Sequence, residues 1–165
     1  MPLTSRLAFA ALLLAAGPAF AADKPACPAT PQIPAEWAAW GTPIAAPADS
    51  ALTPGKAYTI ALVPMAEVQL TGVDGKELPE GSRGAVFTLA VSRSGTYRLT
   101  VGAPMWIDLI AADGTVVESV AHTHGPDCSG LGKIVDFPLK QGTYRLELSA
   151  AEVPASAVMA LGPAN

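Results

Sequence analysis

Apolar and polar residues alternate with a period of two in four segments of the chain. These segments are AVFTLAV (85–91), TYRLTV (96–101), IVDFPL (134–139) and TYRLEL (143–148). Because successive side chains of a strand point to opposite faces, the alternation predicts strands that each bury one face. The predicted core residues are Phe87, Tyr97, Leu99, Val135, Phe137, Tyr144 and Leu146, while Arg145 and Glu147 are predicted to face water.

Turn sequences separate these segments. DGK (74–76) and ADGT (112–115) each offer a glycine for the positive φ that tight turns require. No stretch beyond residue 21 has a sustained helical period. The sequence therefore predicts an all-β fold, an antiparallel two-sheet β-sandwich over residues 51–165.

The segment Gly-Thr-Tyr-Arg-Leu occurs twice, at 95–99 and at 142–146. In each copy the glycine is expected to make a turn. The tyrosine then begins a strand with its ring inward and its hydroxyl within reach of the backbone. Two copies are too few for a solenoid, so they predict two related hairpins within one sandwich.

Residues 22–50 are rich in alanine and contain six prolines. Proline removes backbone donors, so we expect an irregular N-terminal arm with one helical turn at 35–40. Trp37 and Trp40 lie on one face of such a turn. They are predicted to cover an exposed edge or an apolar face of the sandwich, the alternative being a sugar-stacking platform.

The first 21 residues have the features of an export signal. Arg6 supplies a positive charge, residues 7–16 are uninterruptedly apolar, and Ala19-Phe20-Ala21 fits the small-x-small cleavage rule. The apolar stretch is too short to span a bilayer. We expect cleavage near Ala21, a periplasmic or secreted protein, and no membrane span.

Cys27 and Cys128 both follow the leader. In an oxidising compartment an even number of cysteines favours a disulfide, and only one pairing exists. It would close a loop of roughly a hundred residues. Two free thiols, or a thiolate that binds metal, are the alternatives.

The formal net charge is −4, and lysine and arginine do not cluster. Nucleic acids and anionic membrane surfaces attract proteins through concentrated positive charge. The composition therefore argues against both as partners.

The order AVFTLAVSRSGTYRLTV, WIDLIAADGTVVES and KIVDFPLKQGTYRLEL resembles the bacterial pre-peptidase C-terminal (PPC-type) β-sandwich, over about residues 52–162. In that family a Gly-Thr-Tyr strand pair precedes an Asp-rich hairpin and a final Gly-Thr-Tyr strand. The resemblance implies a sandwich with an accessory or binding role. This chain departs from the family in lacking a recognisable hydrolase domain and in carrying His-x-His and a cysteine at 122–128.

The segment AHTHGPDC (121–128) holds the two histidines of the chain. If 116–124 is one strand, Glu118, His122 and His124 project from the same face, and the imidazoles suit Zn or Cu. Asp127, Glu118 or Asp136 is the candidate oxygen ligand. A solvated pair of histidines with no ligand is the alternative.

The same segment invites two enzymatic comparisons. The first cupin motif also begins with His-x-His, but it requires a glutamate where this chain has Cys128, and a third imidazole is missing. Some small exported bacterial proteins with a similar segment carry a homogentisate 1,2-dioxygenase label. That enzyme is a much longer cytosolic protein with a two-His-one-carboxylate iron site, so the residues do not support an oxygenase.

In PMWIDLI (104–110), Trp106 and Asp108 alternate with apolar residues that are expected to face the core. Trp106 is therefore predicted on an outer face beside a carboxylate, where it could stack on a ligand such as a sugar ring. We expect the N-terminal arm to cover it.

Together these features favour an exported, non-enzymatic binding or accessory module whose partner is a protein or a carbohydrate. A periplasmic Cu or Zn protein that uses His122 and His124 is the alternative, and an oxygenase is a distant third. Ser129 lacks the glycine elbow that exposes a nucleophile, and no pair of carboxylates is marked as acid and base.

Overall fold

A computed structural model describes residues 26–47 and 50–163. The predicted leader, 1–21, lies outside these residues. No helix in the described ranges is long and apolar enough to cross a membrane. The described strands are β1 (Ile44–Ala45), β2 (Ala51–Leu52), β3 (Ala57–Ala61), β4 (Val63–Pro64), β5 (Arg83–Val91), β6 (Gly95–Val101), β7 (Trp106–Ile110), β8 (Ala121–His124), β9 (Lys133–Leu139), β10 (Gly142–Ala151) and β11 (Ala155–Leu161).

The strands form two sheets packed face to face, which confirms the predicted all-β sandwich. One sheet has the order β1-β3-β11-β6-β9-β8 and the other β2-β5-β10-β7, with β4 also paired to β5. From β3 onward every pairing between named strands is antiparallel. The expectation of purely antiparallel sheets needs one correction, because β1 and β2 pair in parallel with β3 and β5. Both are two-residue strands, which the proline-rich sequence around them keeps short.

The inner faces of the two sheets meet in one apolar cluster. All seven predicted core residues are buried in it, and the most exposed, Tyr144, retains 9% of its surface. Period-two alternation therefore predicted the inner faces correctly. On the outer faces it was less informative, because Thr100 and Glu147 are also buried there.

The two Gly-Thr-Tyr segments lie at corners that connect the sheets, so the predicted hairpins are wrong. The chain crosses from β5 to β6 and again from β9 to β10, while β5 pairs with β10 and β6 pairs with β9. At each corner the tyrosine hydroxyl donates to the carbonyl four residues earlier, Tyr97 to Arg93 and Tyr144 to Lys140, both at 3.0 Å. The corners are adjacent, and Gln141 N donates to the Ser94 hydroxyl.

The N-terminal arm covers the outer face of the six-stranded sheet. It forms a 3₁₀ helix, Ala35–Gly41, close to the predicted turn, and β1 gives it one short ladder. Trp37 and Trp40 are buried against Ala57, Leu131, Ile134 and Met159. The prediction that they cover an apolar face is confirmed, and because the rings are buried the sugar-stacking alternative for them is wrong.

Cys27 and Cys128 form the predicted disulfide, with their Cα atoms 5.3 Å apart. Beside it, Gln32 N donates to the Cys128 carbonyl at 3.0 Å. The arm is therefore tied to the loop after β8 by a covalent bond and by a backbone hydrogen bond.

Reduction of the disulfide is expected to lower the melting temperature and to make the arm sensitive to protease, while the strands persist. Cross-linking over 101 residues restricts the unfolded chain by about 4–5 kcal/mol in the chain-entropy model. Circular dichroism melts with and without reductant, followed by limited proteolysis, measure both effects. The control is the Cys27→Ser/Cys128→Ser variant, which reductant should leave unchanged. Two free thiols in protein purified without reductant would contradict the prediction.

Candidate functional site

His122 and His124 lie on β8, an edge strand of the six-stranded sheet, and both are exposed. In the ladder with β9 they stand opposite Val135 and Lys133. Directly opposed residues share a face, so the two imidazoles project on the same side, as predicted.

The other candidate metal ligands do not join the two histidines in one group of three or more among the described residues. The expected strand over 116–124 is wrong in its first half, since β8 begins at Ala121 and Glu118 is not on it. Asp136 stands opposite Ala121 and so lies on the other face. Cys128 is committed to the disulfide, and Asp127 lies exposed beside it. Within residues 26–47 and 50–163 no group of three or more His, Cys, Asp or Glu side chains could hold a metal ion.

Trp106 begins β7, the edge strand of the five-stranded sheet, and 40% of it is exposed. The expectation that the arm covers it is wrong, because the tryptophans of the arm pack on the other sheet. Two ammonium groups lie near the ring instead, Lys133 Nζ at 4.6 Å and Lys76 Nζ at 5.6 Å from its centroid. Cation–π attraction favours both contacts.

Trp106 and Lys133 line a cleft of about 650 Å³, the Trp106 cleft. Its walls come from the ends of β8 and β10, the start of β9 and the loops around residues 79, 103 and 153. Most of the lining is apolar, and the titratable residues on it are Glu77, His124, Lys133 and Glu152. Clefts of this size accommodate small molecules.

Residues 69–76, the strap, lie across the outer face of the five-stranded sheet beside Trp106. Glu147, predicted to face water, is 1% exposed beneath it. Its carboxylate accepts hydrogen bonds from the backbone N–H groups of Thr71 and Gly72 at 2.8–3.0 Å, and from Arg145 Nε at 2.7 Å. These three donors satisfy a buried carboxylate that would otherwise be costly.

Asp108 stands directly opposite Glu147 in the sheet and is also buried. It forms an ion pair with Lys76, which in turn donates to the Gly72 carbonyl at 2.6 Å. A Cβ on Gly72 would lie 2.9 Å from the Asp108 Cβ, so only glycine allows the strap to approach this closely. Two buried carboxylates therefore hold the strap, and the strap supplies Lys76 to Trp106.

Burial shifts the titration of two groups at the site. Desolvation raises the pKa of Asp108 above its ordinary value, and the charge of Glu147 adds to the rise, while Lys76 opposes it. Desolvation lowers the pKa of Lys133, and the charge of Asp108 opposes that shift. Sequence reasoning missed Lys76, Lys133 and Glu147 as members of this site. Alternation assigns a side chain to a face but carries no signal for a loop that later covers the face.

The free energy of unfolding is expected to fall as the pH rises, and the Asp108→Asn variant is expected to show a smaller fall. Because the pKa of Asp108 is raised from 3.8, the folded protein binds this proton more tightly than the unfolded chain does. The resulting stabilisation is full below the ordinary pKa, declines as the pH rises to the folded pKa, and is absent above it. Urea unfolding from about pH 3 to pH 8 measures the slope.

Asp113→Asn is the matched control, with the opposite sign. A hydrogen bond from Thr115 N to the exposed Asp113 lowers the pKa of that carboxyl. Its stabilisation is present above the ordinary pKa and is lost as the pH falls through the lowered pKa. A stability curve of Asp108→Asn that ran parallel to that of the unmodified protein would refute the assignment.

Comparison of the chain with protein-family models, with curated proteins and with solved structures finds no match.

Proposed function

We propose that this protein is an exported, non-enzymatic β-sandwich module of the cell envelope, similar to the PPC type, that binds a ligand at the Trp106 cleft. Export is supported by the apolar segment 7–16 and the cleavage sequence ending at Ala21. The Cys27–Cys128 disulfide is consistent with an oxidising compartment.

The observation that carries the binding role is the exposure of Trp106 on the wall of a mostly apolar cleft. A tryptophan is costly to leave in water, and the fold buries the other two, Trp37 and Trp40. Neighbouring charged side chains can orient a bound molecule, while the ring supplies contact area. This combination of an aromatic surface and a few polar groups is typical of ligand sites.

Binding is favoured over catalysis because the side chains that suggest a nucleophile serve the structure. Ser129, next to the disulfide, is buried; it donates to the Pro126 carbonyl at 2.6 Å and accepts from Leu131 N at 3.1 Å. Cys128 has no free thiol. Both residues shape the loop between β8 and β9.

Trp106→Ala is expected to abolish the stabilisation that a ligand confers. A panel of neutral sugars, acidic sugars, short peptides and small amphiphiles is screened for an increase in melting temperature. At a ligand concentration of 100 times Kd the increase corresponds to about 2.7 kcal/mol. Val120→Ala, which removes exposed apolar surface elsewhere, is the control and should retain the response. A response that persists in Trp106→Ala would place the ligand elsewhere.

A second candidate function is binding of Cu or Zn by His122 and His124. It is favoured by the exposure of both imidazoles on one face of the edge strand. Lys133 stands opposite His124 and its positive charge opposes a bound cation, so this function ranks second.

The metal hypothesis predicts a site at least as tight as about micromolar. Calorimetric titration of the oxidised protein with Cu(II) or Zn(II) measures it. The site is expected to be lost in the His122→Ala/His124→Ala variant. Lys133→Gln is expected to strengthen metal binding, because it removes the neighbouring charge. Absence of a site, or no loss in the double variant, would eliminate this function.

A further inference from the structure

Lys133 lines the Trp106 cleft, and no carboxylate of a described residue forms a close ion pair with it. The ion pairs between described residues join Lys76 to Asp108 and Arg145 to Glu147. Lys133 is partly buried, and its nearest aromatic contact is the Trp106 ring at 4.6 Å. A partly desolvated ammonium group is costly unless an opposite charge faces it. Asp108, which is already paired with Lys76, offsets only part of this cost, so the cleft leaves a place for an anion from outside the chain.

The lining around Lys133 is mostly apolar. Pro79, Ala103, Pro104, Met105 and Val153 form the walls. Apolar walls stabilise a bound hydroxyl-rich molecule poorly, since each hydroxyl that leaves water needs a hydrogen-bond partner. They favour an occupant whose body is a hydrocarbon chain or ring.

Resting on the binding function proposed above, we infer that the Trp106 cleft binds a small organic carboxylate with an apolar body. The carboxylate lies on Lys133, and the body lies along Trp106 and the apolar walls. His124 lines the same cleft directly opposite Lys133 in the ladder, so an imidazole N–H is available as a second donor.

The remaining charges restrict the ligand further. Glu77 and Glu152 also line the cleft, but both are exposed, so water screens them more than it screens Lys133. Lys76 is neutralised by Asp108. One cation beside the two carboxylates of Glu77 and Glu152 selects a monoanion over a polyanion.

The test compares octanoate with octanamide, a neutral molecule of the same length, at neutral pH. Binding is followed by the fluorescence of Trp106, with Trp106→Phe to subtract the two buried tryptophans. Octanoate is expected to bind about tenfold more tightly than octanamide, the difference that a charged hydrogen bond provides.

Three variants separate charge from shape. Lys133→Gln is expected to weaken octanoate about tenfold and to leave octanamide unchanged. Lys133→Arg keeps the charge and should retain binding, which controls for loss of folding. Glu152→Gln removes a repulsive carboxylate and is expected to strengthen octanoate by about twofold.

The outcomes distinguish this inference from the proposed function. Equal affinity for octanoate and octanamide would contradict the inference that the ligand is a carboxylate, and so would an unchanged affinity for octanoate in Lys133→Gln. In either case the Trp106 cleft would remain a binding site. Binding of glucuronate in place of octanoate would contradict the inference that the body of the ligand is apolar. Failure of every member of the ligand panel to respond to Trp106→Ala would instead overturn the proposed function.

Discussion

Burial of the two inner sheet faces against each other is the interaction on which the other features of this protein depend. The corners between β5 and β6 and between β9 and β10 carry the chain from one sheet to the other, so both tyrosines enter the same core. Each hydroxyl is satisfied by a backbone carbonyl at its own corner. A tyrosine can therefore occupy the core without leaving a polar group unpaired.

The two outer faces are covered by different physical means. The arm covers the six-stranded sheet with apolar contacts, which are held in place by the Cys27–Cys128 disulfide. The strap lies across the five-stranded sheet, where Glu147 and Asp108 hold it through backbone hydrogen bonds and an ion pair. Apolar contacts are insensitive to pH, whereas burial raises the pKa of Asp108 on the strap side. The strap side is therefore where pH acts on the fold.

The aromatic and charged side chains of the candidate site lie at the edges of the sheets, where the covered faces end. The edge strands β7 and β8 belong to different sheets, and the side chains near them include Trp106, His124 and Lys133. Lys76 reaches the same ring from the strap. The His-x-His pair, the most conspicuous motif in the sequence, contributes one residue to this cleft, and the three other groups come from separate segments of the chain.

The sequence by itself determined the four alternating strands β5, β6, β9 and β10 with their inward-facing residues, and it favoured the disulfide, because these follow from local alternation and from the presence of two cysteines. Only the tertiary structure decided what covers each outer face. Glu147 has the alternation of a solvent-facing residue and is nevertheless buried, since a segment more than 70 residues earlier in the chain folds over it. Trp106 was expected beneath the arm and is exposed, because the disulfide draws the arm to the other sheet. Period-two patterns record the face on which a side chain lies, and long-range packing decides whether water reaches that face.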